Sequence, residues 1–168
     1  MKKRLTCIVS VALAATMVVS SAAPVYAKKK KKEVKLTEAG TYPIVPEGEE
    51  LTLTCFTMTM PNVENLETND FTKYLEDLTG VHIEWVTAGR DDWEEKLNMM
   101  LSSGDYPDML LGVSPDLAKF GVKEQIIVPM DEYLNEDLMP NYMKMYGDQL
   151  DLSRETDGQI YSLIAEND

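Results

Sequence analysis

Leu51-Thr52-Leu53-Thr54-Cys55-Phe56 alternates apolar side chains with threonine, a period of two that predicts a strand. The period then lengthens. Phe71, Tyr74, Leu75 and Leu78 recur at i, i+3, i+4 and i+7, which sets them on one face of a helix. Thr68 or Asn69 can cap its start, and Gly80 can take the left-handed geometry that ends it. Val81 to Val86 predicts a second strand. Asp91 followed by Glu94 has the spacing of a capping box, opening a helix with Trp93, Leu97, Met100 and Leu101 on one side and Gly104 at its close. Asp105-Tyr106-Pro107 leads into Asp108-Met109-Leu110-Leu111, a short apolar third strand. Strands alternating with helices predict an α/β fold, with an open, mainly parallel sheet, helices on both faces and right-handed crossovers. Leu51, Leu53, Ile83, Trp85, Leu110 and Leu111 are expected to form most of its buried layer.

A different pattern opens the chain. Lys2, Lys3 and Arg4 precede a short apolar run from Leu5 to Val19, and Val25-Tyr26-Ala27 offers small side chains at the two positions a signal peptidase inspects. That is a secretory signal peptide, expected to be cleaved near Ala27. Ser20, Ser21 and Pro24 interrupt the run before the about 20 apolar residues of a membrane helix are reached. The organisation is therefore read as residues 1–27, signal peptide; 28–50, a basic tail (Lys28 to Lys32) and a linker bearing Gly40, Pro43, Pro46 and Gly48; and 51–168, the ordered part. No internal repeat is visible.

Charge and cysteine use narrow the partners. The formal charge is −13, and removing the signal takes away cations only, so the exported chain is more acidic still. Phosphate backbones repel such a chain, which excludes nucleic acid as a partner. With 44% apolar residues there is material for a core, which argues against wholesale disorder. Cys7 follows Arg4-Leu5-Thr6 near the start of the apolar run, so it is not placed for lipidation. Cys55 is then the one cysteine left in these residues and pairs with no other; within an apolar run it reads as a small buried hydrophobe.

In open α/β sheets, ligands bind beyond the carboxyl ends of the strands. The first strand delivers Thr57, Met58 and Thr59 there, and the third delivers Gly112, Val113 and Ser114. Hydroxyls, backbone amides and a thioether, with no concentrated charge, suit a neutral ligand rich in hydroxyls or amides better than phosphate or a metal ion. Catalytic constellations are lacking. Asp91, Asp92, Glu94 and Glu95 sit at a helix start, where they read as capping and dipole partners rather than as the facing pair that glycoside hydrolysis needs. His82 lies on a strand without a nucleophile or metal-ligand companion and reads as structural. Asn135-Glu136-Asp137 and Asp148 to Asp151 lack the oxygen spacing and central glycine of a calcium loop, and no Gly-rich phosphate loop occurs. No enzyme activity, cofactor or metal is expected. Trp85 and Trp93 read as core, and Tyr133, Tyr142 and Tyr146 with Met139, Met143 and Met145 as the packing of a helical segment.

Four stretches carry a family resemblance. Leu78-Thr79-Gly80-Val81-His82-Ile83-Glu84-Trp85 resembles the "TG-hydrophobic-strand" element of bacterial extracellular solute-binding proteins, the receptors of ABC importers. Leu101-Ser102-Ser103-Gly104-Asp105-Tyr106-Pro107-Asp108 resembles their "L-x-SGD-x-PD" stretch, Val128 to Leu134 their "P-L-D-x-Y/L" turn, and Asp157 to Leu163 their "DGK-x-Y-A-L-P" strand. Together these cover about residues 50–163, with family 1 the most similar branch. The resemblance implies a two-lobed periplasmic-binding-protein-like fold, of which this chain is the first section of one lobe, the second lobe and hinge being absent. It further implies a small-molecule solute, an oligosaccharide or other carbohydrate, delivered to an ABC transporter permease by a secreted protein that meets the membrane only through that permease. It places Tyr161 near the cleft, where an aromatic ring can stack on a sugar face. Ile164 departs from the usual proline, and the lipobox common in Gram-positive members is missing. The alternative reading is a secreted surface or interaction protein that uses the same lobe without transport.

Overall fold

A computed structural model describes residues 34–164; the signal segment with Cys7 and Ala27, and the lysine run, lie outside the described residues. Strands β1 (Leu51–Met58), β2 (Val81–Ala88) and β3 (Met109–Leu111) form a parallel sheet in the order β2-β1-β3. β1 pairs along its whole length with β2, from Leu51 opposite Val81 to Met58 opposite Ala88. On its other side it pairs through Cys55, Phe56 and Thr57 with β3. Helices α1 (Asp70–Thr79) and α2 (Trp93–Ser103) make the crossovers. The chain steps one way from β1 to β2, then back past β1 to β3. Two crossovers of one hand therefore put α1 and α2 on opposite faces, as the alternation predicts.

The helix ends follow from named residues. Asn69 Oδ1 accepts the Thr72 N–H at 2.9 Å, satisfying one of the donors left open at a helix start. Gly80, at φ 70°, ends α1 by donating its N–H to the Glu76 carbonyl, and Gly104 ends α2 in the same way through Met100. The expected capping box at Asp91 does not form. The Gly89 carbonyl instead accepts the N–H groups of Asp92 and Trp93, and this tight turn moves the helix start to Trp93, with Asp92 at the cap making no side-chain bond. The Pro107-Asp108 step also has a physical role. Asp108 Oδ2 accepts both the N–H and the hydroxyl of Thr54, at 2.9 and 3.0 Å, while its own N–H donates to that hydroxyl. The side chain thus carries the β1–β3 pairing one residue past the strand. His82 is structural: its Nδ1 lies 2.9 Å from Glu76 Oε1, which also accepts the Ile83 N–H.

The core sits on the α2 face. Phe56, Ala88, Leu97, Leu101 and Phe120 are buried together, with Val86, Leu110, Ile126 and Ile127 packed around them. This corrects the expected buried layer. Leu51, Leu53, Ile83 and Trp85 lie on the opposite strand parity and are half-buried, Leu110 joins the α2 face, and Leu111 is exposed. The reason is partial cover: α1 half-buries Leu75 and Leu78 but turns Phe71 and Tyr74 to solvent, at 68% and 58% exposure. Order also begins before Leu51. Val45 is buried and its N–H bonds to the Thr79 carbonyl at 2.9 Å, so part of the expected linker packs against the end of α1.

Beyond β3, one wide π-type turn (Ala118–Lys123) carries the buried Phe120. A short helix α3 (Pro140–Tyr146) and a 3-10 segment (Gly147–Ser153) follow. Tyr142 and Tyr146 stack loosely, with centroids 5.1 Å apart, whereas Tyr133 and Met145 are exposed rather than packed. The strand expected over 157–163 is reduced to one antiparallel bridge between Arg154 and Ile160, because Asp157-Gly158 turns the chain tightly, with Gly158 at φ 82° donating to Glu155.

Asp131 pins that turn. Its Oδ2 accepts the Ile160 N–H at 2.8 Å, and its Oδ1 accepts from Arg154 Nη1 at 2.7 Å. The Ile160 amide and then the Arg154 guanidinium hold the Asp131 carboxyl below its usual value of 3.8. A lowered folded-state pKa contributes stability above the unfolded value, and that contribution is lost as pH falls through the folded value. In an acid titration followed by NMR, the Ile160 amide is expected to shift with a midpoint below 3.8. Arg154→Ala should move that midpoint upward.

Candidate functional site

β1 and β2 stay paired to their carboxyl ends, where the Thr59 N–H donates to the Ala88 carbonyl at 2.8 Å. Two adjoining clefts open there, against the loop from Thr59 to Asn69. The inner cleft, about 250 Å³, is lined by Trp85 and Thr87 from β2, by Thr59 just past β1, and by Met60, Glu64 and Glu67 among others from the loop. The outer cleft, about 720 Å³, runs on past Asn62, Thr68 and Asp70. Val63, Glu64 and Asn65 line both, so the two are continuous. The loop keeps its shape through its asparagines. Asn65 Oδ1 accepts the N–H groups of Glu67 and Thr68, and Asn69 Nδ2 donates to the Leu66 carbonyl at 2.7 Å. Such side-chain bonds fix a turn without regular structure.

Electrostatically the clefts are one-sided. Glu64, Glu67 and Asp70 contribute carboxylates, and no lysine, arginine or histidine lines either cleft. Anions are repelled, while hydroxyl and amide donors find acceptors. The Trp85 indole Nε1 is buried and has no hydrogen-bond partner, although buried donors are nearly always paired. Among the described residues no group of three or more His, Cys, Asp or Glu could hold a metal ion, and no helix is long and apolar enough to cross a membrane.

The residues expected at the site separate. Thr59 lines the inner cleft. Thr57 is buried and Met58 half-buried within the strand, and neither lines a cleft. Ser114 is exposed beyond β3, away from both linings. Tyr161 is buried, its hydroxyl donates to Asp157 Oδ2 at 2.8 Å, and its ring lies where a Cβ on Gly121 would approach within 2.9 Å. Burial and then the Asp157 bond push the phenol up to about 12. Tyr161 thus packs the π-type turn rather than presenting a face to either cleft. Asn62, Glu64, Asn65, Trp85 and Thr87 were not singled out from the sequence as site residues. One signal for them was available: the β1–α1 connection is longer than the about 2–6 residues usual between a strand and a helix.

No family model matches the chain. Over 94 residues it is 38% identical to the fructooligosaccharide ABC transporter substrate-binding protein FusA of Streptococcus pneumoniae serotype 4, a match covering 52% of this chain and 17% of that protein. The chain is a relative of ABC-transporter substrate-binding proteins. It matches less than a fifth of that substrate-binding protein's length. The solved structure of a FusA EF-hand mutant in complex with fructo-nystose superposes with a TM-score of 0.56 at 30% identity, over 66% of this chain and 23% of FusA. A second substrate-binding protein, an HMO-binding, ABC-transporter-associated one from Bifidobacterium longum infantis, shares the fold, with a TM-score of 0.54 at 20% identity over 68% of this chain and 23% of its own. The open α/β sheet expected from the alternation is the sheet these substrate-binding proteins share.

Proposed function

We propose that this chain is part of an extracytoplasmic receptor that captures a neutral oligosaccharide and hands it to an ABC transporter permease. The observation that carries the reading is the cleft at the carboxyl ends of β1 and β2, rich in hydroxyl, amide and carboxylate groups and lined by no cation. A sugar presents many O–H donors and no charge, so it meets acceptors there without a desolvated counter-charge. The kinship with a fructooligosaccharide-binding protein supports the same class of solute. In this reading residues 51–168 belong to an N-terminal lobe whose closure against a second lobe buries the solute. Calorimetry on the whole protein tests it. Fructooligosaccharides or other neutral oligosaccharides should bind at micromolar or tighter concentrations, and oligogalacturonates should not; preference for the acidic sugars would overturn the reading.

Residues 1–27 act in this account as a cleaved export signal, motivated by the basic start, the short apolar run and Val25-Tyr26-Ala27. N-terminal sequencing of the secreted protein is expected to begin at Lys28. A retained Met1 would contradict it.

A further inference from the structure

Trp85 sits on the wall of the inner cleft with its indole Nε1 buried and without a partner. Leaving a buried donor unpaired carries a desolvation penalty of about 1–3 kcal/mol, so a fold keeps one where something else satisfies it. The cleft that Trp85 lines is walled on its other side by the Thr59–Asn69 loop, which regular secondary structure does not fix; the Asn65 turn and the cap at Asn69 hold it. Met60, Val63 and Leu66 add apolar side chains to the same lining. Glu64, which lines both clefts, is an exposed carboxylate.

We infer that Trp85 and Glu64 form a subsite for one ring of a neutral saccharide, the ring's C–H face packing on the apolar side chains of Met60, Val63 and Leu66, a hydroxyl at its edge accepting the Trp85 Nε1 proton after a small shift of the loop, and another hydroxyl donating to Glu64. Three features agree on this ligand. About 250 Å³ is below the roughly 300–1,000 Å³ that holds a whole drug-sized ligand, so the inner cleft takes a single unit. The continuous outer cleft of about 720 Å³ takes the units that follow. The carboxylates at Glu64 and Glu67, with no cation beside them, reject uronates, sulfated sugars and phosphate. Apolar side chains next to a buried donor and an exposed acceptor match the amphipathic character of a pyranose or furanose, whose C–H faces are apolar and whose edge is hydroxylated. The inference rests on the receptor reading and adds to it the residues that select the sugar.

The test uses the whole protein, with nystose, maltotetraose and xylotetraose as neutral probes and trigalacturonate as the acidic control. Tryptophan emission of the whole protein should change as a neutral probe binds, and the contribution of Trp85 to that change should be missing in Trp85→Phe. Trp85→Phe keeps an apolar ring but removes the donor, and Glu64→Gln removes the charged acceptor from an exposed loop position. Each should weaken the best neutral probe by about tenfold or more, the scale of a lost hydrogen bond to a ligand. Should Trp85→Phe fail to fold, Glu64→Gln decides alone. Wild-type binding of a neutral probe with undiminished affinity in the variants, and an emission change that Trp85→Phe leaves intact, would overturn this subsite and leave the receptor reading standing. Failure of the wild-type protein to bind any neutral probe would overturn both.

Discussion

Phe56→Ala is expected to destabilise the protein by about 3–5 kcal/mol, the range for truncating a buried phenylalanine. Phe56 is fully enclosed at the middle of β1, opposite Val86 on one side and Leu110 on the other. It is the side chain through which all three strands meet Leu97 and Leu101 of α2 and Phe120 of the π-type turn. Removing the ring leaves a cavity among Leu97, Leu101 and Phe120, themselves buried. Against a total margin of about 5–15 kcal/mol, the loss would leave little in reserve. Urea unfolding of the whole protein should show a much lower midpoint with an unchanged slope. A loss under about 1 kcal/mol would mean that the α2 face is not the core.

Gly80→Val is expected to be nearly as damaging, for a different reason. Gly80 ends α1 at φ 70°, a left-handed conformation that costs a non-glycine residue about 1–3 kcal/mol and a β-branched one the most. A side chain there also meets the Val45 carbonyl, backbone rather than a flexible tip, so Val45 and the segment around it would have to leave. Gly104→Val makes the control: its φ is 84°, but nothing lies within 4 Å of its Cβ position. Thermal unfolding should place Gly80→Val well below Gly104→Val. Equal losses at the two sites would show that strain alone matters and that the Val45 contact contributes nothing.

The alternation of β1 and the helical periods of α1 and α2 made the element order legible, because each period reports one covered face directly. Which face is covered best was not legible. Leu51, Leu53, Ile83 and Trp85 are as apolar as Phe56 and Val86, and the sequence carries no sign that α1 would turn Phe71 and Tyr74 outward while α2 buried Leu97 and Leu101 completely. Local chemistry misled in two places. Asp91 has capping-box spacing, but a glycine two residues earlier offered its carbonyl for a tighter turn. Ile160 and Tyr161 read as a strand, yet Asp131, 29 residues away, takes the Ile160 amide that a strand neighbour would use. Such long-range partners leave no periodic trace. The candidate site was half legible: the rule that ligands gather at strand carboxyl ends pointed to Thr59, which lines the inner cleft, but the loop that walls the cleft is polar and aperiodic, and Trp85 read as core because it lies within an apolar strand.

Hydrogen exchange on the whole protein, with and without a saturating neutral oligosaccharide, tests the central claim most directly. If the ligand seats in the clefts at the carboxyl ends of β1 and β2, amides from Thr59 to Asn69 should gain protection on binding. The stretch around Ser114 and Tyr161, which lines neither cleft, should change little. Saturated binding that leaves the Thr59–Asn69 loop unprotected would contradict the account.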